Sequence, residues 1–318
     1  MTITGPVVLD AMGGDHGPAE TVAGAVEARR AHGVPIILVG AEAQLSRELR
    51  RHEAEGEIAV VPAPHAVPMS ERGAAAAALT GSSLAVGCDL VHQGVGGSFV
   101  SAGSTGAVVT CAVRGIGRAA GVLRPALAVA LPSLRGGATV LVDAGATADP
   151  SPTMMAQFAR LGIGYARSVL GRPDPIVGLL SIGSEPGKGN RLTCQAEELL
   201  TGLPLPFTGN IEGHEVLSGR ADVIVTDGFT GNVVLKTIEG CVRTVLTMAA
   251  REGAAAPERL AGVARRYAPE THGGATLLGL RGTVVIAHGS SRATTIARAC
   301  AVAHALAGTA PGTEAATS

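Results

Sequence analysis

Six short apolar runs in this chain each pass directly into a loop of small residues, and this arrangement restricts the fold more than any other feature. The loops are LDAMGGDHGP at 9–18, SAGSTGA at 101–107, DAGATADP at 143–150, IGSEPGKGN at 182–190, TDGFTGN at 226–232 and AHGSS at 287–291. The runs ahead of them are Val7–Leu9, Ser98–Val100, Thr139–Val142, Val177–Ile182, Val223–Val225 and Val284–Ile286. They are continuous rather than alternating, as in parallel strands covered on both faces. Ile36–Val39 and Ile58–Val61 read as two more strands. Between the strands lie helical stretches. Ala19–His32 has Pro18 at its first turn and Gly33 past its end, and Ala41–Ala54 has a polar face. Alternation of this kind predicts an α/β fold with a mostly parallel sheet. In such a sheet the loops gather at the carboxyl ends of the strands, where ligands bind. Helices that start there offer free N–H groups and a positive dipole end to an anion.

Composition removes several function classes. The formal net charge is −1 and aromatic residues are 2% of the chain, so neither a basic surface nor stacking platforms point to nucleic acid. No apolar run is long enough and free enough of charge to predict a membrane span, and the first residues predict no signal peptide. The five cysteines are far apart and form no CxxC pair, which predicts core thiols in a reducing cytoplasm rather than a zinc site or disulfide frame. Residues 1–307 read as one α/β domain and 308–318 as a frayed tail.

The loops carry the chemistry. In the first, Gly13 and Gly14 let backbone approach a ligand, and Asp15 and His16 stand just before the helix that follows. Asp15 either caps that helix or meets the ligand. Ser101, Ser104 and Thr105, and likewise His288, Ser290 and Ser291, offer anion nests beside helix starts. Asp143 and Asp227 end strands but lack a constellation of metal ligands, so no metal is expected. Only two of the 25 basic residues are lysines, Lys188 and Lys236. Lys188 stands between two glycines, where a compact ammonium can reach over a cleft as a guanidinium fork cannot. Asn232 either caps a helix or points its amide into the cleft, and spacing leaves both open. Lys236 has a partner within reach in Glu239. Between Cys241 and Cys300 eight arginines face three glutamates, a basic excess suited to an acidic partner.

In order along the chain, VLDAMGGDHGP, SAGSTGA, RPALA, VDAGATADPSP, VGLLSIGSEPGKGN, GNIEG, ADVIVTDGFTGNVVLKTIEG and GLRGTVVIAHGSS resemble the PlsX family of acyl-ACP:phosphate acyltransferases. Ser104 stands where the family pattern has Asn, and Ala144 and Thr147 interrupt its DVGAN segment. The resemblance implies a three-layer α/β/α sandwich like that of isocitrate and isopropylmalate dehydrogenases, with two intertwined subdomains. It implies transfer of a fatty acyl group from acyl carrier protein to inorganic phosphate, with no cofactor, in a cytoplasmic homodimer in peripheral contact with the inner face of the membrane. The alternative is a diverged acyltransferase of a specialised pathway, acting for example on a short-chain acyl-CoA. Lys188 and Asn232 are the catalytic candidates. Substrate-binding candidates are Asp10, Gly13, Gly14, Asp15, His16, Ser101, Ser104, Thr105, Gly106, Asp143, Gly189, Asn190, Asp227, Thr230, Gly231, His288, Ser290 and Ser291.

Overall fold

A computed structural model describes residues 5–71, 73–267 and 274–307. The chain forms two compact units, and the first is discontinuous: it takes the described residues up to Pro125 and those from 274 onward. The second takes those from Ala126 to 267. The tail expected at 308–318 lies outside the described residues.

Unit one opens with β1 (Val7–Asp10), α1 (Ala19–His32), β2 (Ile36–Gly40), α2 (Glu42–Arg51) and β3 (Ala59–Pro62). It continues with α3 (Gly73–Ala78), α4 (Ser83–His92), β4 (Ser98–Ser101) and α5 (Thr105–Gly115). Unit two holds β5 (Ala126–Pro132), β6 (Ala138–Val142), α6 (Pro152–Leu170), β7 (Val177–Ser181), α7 (Arg191–Thr201), β8 (Phe207–Glu212), β9 (Val223–Val225), α8 (Gly228–Arg251) and α9 (Pro257–Tyr267). The chain then returns to unit one as β10 (Ala275–Leu278), β11 (Thr283–Ile286) and α10 (Ala293–Leu306).

In unit one the strand order is β3-β2-β1-β4-β11-β10. All its pairings are parallel except β10 with β11. In unit two the order is β5-β6-β9-β7-β8, with only β5 antiparallel. Strand alternation sorts the core of unit one by face. Val7, Leu9, Val100 and Val285 join the apolar cluster of α1 and α10. Phe99 faces the other way, where a Cβ at Gly87 of α4 would collide with its ring. Helices therefore cover both faces of that sheet, which is why its strands read as continuous apolar runs. In unit two α6 packs on the sheet through Gly162, where a Cβ would lie 2.6 Å from Val223 and 3.0 Å from Val142.

The eight expected strands are all present, each within about one residue of its predicted start. Strand β7 stops at Ser181, so Ile182 is 82% exposed in the following loop. Three strands were not foreseen: β5, β8 and β10. Helix α1 has the expected bounds and ends on Gly33 in the left-handed region, φ 66°.

The close contact of α1 with α10 gives a test of packing against propensity. An added Cβ at Gly24 of α1 would lie 2.6 Å from both the Ala293 carbonyl oxygen and Ile296 Cβ at α10. In an open helix Gly→Ala stabilises by about 0.5–1 kcal/mol. Here the sign reverses, and Gly24→Ala is expected to cost about 1–3 kcal/mol through overpacking. Urea unfolding that showed a gain in stability would contradict this packing of α1 on α10.

Candidate active site

In unit one the loops after β1, β4 and β11 leave the same edge of the sheet, because those three strands are parallel. They are tied together at close range. The Asp15 N–H donates to the Gly289 carbonyl at 2.8 Å. Gly14 takes φ 91°, and a Cβ on it would lie 3.1 Å from that same carbonyl oxygen. The organiser is Asp10, which is 1% exposed. Its carboxylate accepts from Ser101 Oγ at 2.7 Å and the Met12 N–H at 3.1 Å, while Ser101 Oγ accepts from the Gly103 N–H at 2.9 Å. A Cβ at Gly13 would sit 2.5 Å from the Asp10 carboxylate, so only glycine lets the first loop close over it. Burial pushes the Asp10 carboxyl up from the ordinary range, against the hydrogen bonds from Ser83 and Ser101.

The helix starts at this edge differ in what their N–H groups meet. At α10 the Glu20 carboxylate fills the place: it accepts from the Ala293 N–H at 2.8 Å and pairs with Arg292 at 3.3 Å. Those contacts hold the Glu20 carboxyl below the usual range, the Ala293 N–H most of all. In the expected nest of His288, Ser290 and Ser291, the first two are exposed and bonded to each other. The His288 ring meets Ser290 Oγ at 2.8 Å and the Ser290 N–H at 3.2 Å, and Ser291 is buried. At α1, Asp15 makes no side-chain cap, and the Glu20 and Val22 N–H groups find the His16 and Pro18 carbonyls. At α5, Ser104 occupies the cap position but its side chain accepts nothing from the helix. The first N–H with a carbonyl partner there is Val108, bonded to Ser104. Among the described residues those of Thr105, Gly106 and Ala107 find no partner, and a Cβ added at Gly106 would meet nothing within 4 Å. Unpartnered N–H groups at the positive end of a helix dipole are suited in kind to an anion.

In unit two the loops after β6, β9 and β7 share an edge in the same way. Asp143 is fully buried. Its carboxylate takes four backbone N–H groups: Leu127 at 2.8 Å, Gly145 and Ala146 at 2.9 Å each, and Thr147 at 2.6 Å. Burial raises its pKa, but four donors surround it, and the ionised form is the one that satisfies them. Asp227, not Asn232, caps α8, accepting from the Thr230 N–H at 2.8 Å. Asn232 is thus the fifth residue of the helix, exposed, next to Gly145; a Cβ added at Gly145 would be 3.6–3.7 Å from its side chain. Gly231 abuts the same loop, where a Cβ would overlap the Asp143 carbonyl oxygen.

Lys188 is exposed, and among the described residues its ammonium forms no ion pair. Lys236 is held by Glu239 at 2.9 Å. Gly189, at φ 128°, lets the loop pass close to Thr193, and Asn190 is spent on the helix: its Oδ1 accepts from the Thr193 N–H at 2.9 Å. Sequence reasoning missed Glu20 as the occupant of the α10 start, because the contact joins residues 273 positions apart. It also assigned nothing to Asn210, although GNIEG stood out as a segment. Asn210 donates to the Glu185 carbonyl at 3.1 Å.

Comparison with known proteins places this architecture. The profile described as "Fatty acid synthesis protein" matches residues 6–313. A protein named phosphate acyltransferase from Thermobifida fusca is 51% identical, covering 94% of this chain and 87% of its own. One of the same name from Desulforamulus reducens is 44% identical, covering 93% and 92%. Among solved structures, a phosphotransacetylase from Streptococcus pyogenes superposes with TM-score 0.66 at 18% identity, over 95% of this chain and 94% of that one. A 4-hydroxythreonine-4-phosphate dehydrogenase from Klebsiella pneumoniae does so with TM-score 0.56 at 14%, over 95% and 99%. The last two likenesses show the α/β fold.

The Asp143 cluster predicts a large effect from a small change. Asp143→Asn keeps the shape but turns an NH₂ group toward N–H donors. The expected cost is about 2–5 kcal/mol, as for other buried networks left with a missing acceptor. Thermal unfolding checks it, and a melting temperature equal to that of the native chain would remove the carboxylate from its organising role.

Proposed function

The chain belongs to the fatty acid synthesis protein family, and from that premise we propose that it transfers an acyl group from the thioester of acyl carrier protein to inorganic phosphate. A phosphate oxygen attacks the thioester carbon. The tetrahedral intermediate then expels the carrier's thiolate, which takes up the proton that phosphate gives up, and an acyl phosphate remains. The observation that carries this reading lies in unit two, where the exposed ammonium of Lys188 has no ion-pair partner among the described residues. Phosphate is already nucleophilic at neutral pH, and a thiol of pKa about 8.5 is a fair leaving group. The reaction therefore calls for orientation and charge stabilisation rather than a strong acid or base. Lys188, with an uncommitted ammonium, supplies a cation for phosphate or for the developing negative charge. Asn232, free of capping duty, supplies an amide donor for the thioester oxygen.

The acidic carrier has a candidate docking face on α8 and α9. Arg243, Arg251, Arg259 and Arg266 are exposed there and unpaired among the described residues. The side chain of Arg265 lies outside the described residues. A homodimer and peripheral membrane contact belong to the same proposal. They are supported by the apolar side chains that α8 leaves exposed, among them Phe229, Val245 and Met248. No helix among the described residues is long and apolar enough to cross a membrane.

A phosphate-dependent thiol-release assay on acyl-ACP and acyl-CoA tests the reaction. Lys188→Ala is expected to lower turnover by orders of magnitude with the fold intact, and Lys188→Arg to remain poor because the fork is larger and differently hydrated. Near-native activity of the arginine variant would contradict the role of the ammonium. Asn232→Ala is expected to lose about 10²–10³ in rate and little stability, since Asp227 caps the helix. A variant that melts early yet keeps its specific activity would remove Asn232 from the chemistry.

Reversing the charge of Arg259 and Arg266 together is expected to raise the KM for acyl-ACP several-fold at low salt and less at high salt, with a small acyl thioester unaffected. An equal loss on both substrates would mean that the arginines support the fold or the site, and no loss on acyl-ACP would place the carrier elsewhere.

A further inference from the structure

We propose that Asn210 is a positioning residue for Lys188: its side-chain amide anchors the β-turn whose fourth residue is that lysine. The inference rests on the role given above to Lys188.

Three independent features converge on Asn210. The first is the strand that carries it. Val177 of β7 pairs with Phe207 and Leu179 with Asn210, so β8 takes one residue more than its neighbour over this step. Gly209, at φ 89°, supplies the left-handed conformation just before Asn210. A bulge of this kind re-aims the side chain next to it. The second is the bond that results. Asn210 Nδ2 donates to the Glu185 carbonyl oxygen at 3.1 Å. That same oxygen accepts from the Lys188 N–H at 3.3 Å. Glu185, Pro186, Gly187 and Lys188 thus form a turn with proline second and glycine third at φ 79°, the sequence that type II geometry favours. The third is the energetic cost. Asn210 is 1% exposed, and its Oδ1 has no partner among the described residues. An unpaired buried acceptor is unfavourable, so an apolar side chain would serve the strand better. Fold stability alone does not account for an amide at this position.

The rest of the turn is fastened as well. Ser181 Oγ donates to the Lys188 carbonyl at 2.8 Å, and the Gly187 N–H donates to Glu197 at 2.8 Å. These bonds restrain the backbone around Lys188 and leave its ammonium free. A displacement of about 1 Å in a catalytic group can cost on the order of 10²-fold in rate.

Two variants test the proposal by the thiol-release assay and thermal unfolding. Asn210→Leu removes the donor and the unpaired acceptor together. It is expected to lower kcat/KM by about 10–100-fold without loss of melting temperature. Asn210→Asp keeps the shape. Ionised, it sets an acceptor against the Glu185 carbonyl; protonated, it restores the donor. Its rate relative to the native enzyme is therefore expected to be low at about pH 8 and to recover toward about pH 6, since burial raises a carboxyl pKa. A leucine variant at the native rate overturns the proposal. So does an aspartate variant whose relative rate is flat with pH, even if the leucine variant fails to fold. Lys188→Ala measured alongside separates the two ideas: full activity there removes the lysine from the chemistry, whatever the Asn210 variants do.

Discussion

Backbone contact between the start of α8 and the loop after β6 is the constraint on which the unit-two site depends. Gly231 leaves no room for a Cβ against the Asp143 carbonyl oxygen, and the Gly228 N–H bonds to the Thr147 carbonyl at 3.0 Å. The loop cannot yield, because the Asp143 carboxylate holds the N–H groups of Gly145, Ala146 and Thr147 from within. The helix is therefore seated on a loop that is itself locked. Asn232 follows Gly231 directly, so its position is settled by contacts it does not make. Unit one solves the same problem with Asp10, Ser101 and Gly13. In both units a buried carboxylate at a strand end organises the loop from inside, and glycine lets the neighbouring backbone come close.

That arrangement explains which parts of the structure were legible in the sequence. Strands buried on both faces leave continuous apolar runs, so β1, β4, β6, β7, β9 and β11 could be read together with the loops they feed. Strand β8 could not: it reads FTGNIE, polar, interrupted by a glycine and bulged. Strand β5 stood out only as the RPALA segment, and β10 offers just four residues. Spacing could not tell whether Asn232 caps the helix, since Asn is a capping residue type; the structure gives that place to Asp227, five positions earlier. Nor could it tell that a serine and histidine loop beside α10 would be answered by Glu20 from α1. A polar residue next to a helix start has the same sequence signature whether its partner is a ligand or a distant carboxylate.

The uneven use of lysine and arginine gains its meaning only with the contacts. Two lysines in a chain rich in arginine made both positions candidates, yet one is paired with Glu239 and the other has no ion pair among the described residues. A surface pair three residues apart on a helix contributes little to stability and reads as ordinary helix electrostatics. Lys188 differs in its surroundings. Its loop accumulates restraints from Ser181, Glu197 and Asn210, which is more order than an exposed loop needs in order to stay folded. Ordering a backbone costs conformational entropy at every residue fixed, on the order of 1–2 kcal/mol each. A loop restrained this heavily around one free ammonium is best explained by what that ammonium does. On the proposal that Lys188 meets the phosphate, a fixed backbone with an unpaired charge is what placement calls for, because an ion pair would compete with the phosphate for the same cation.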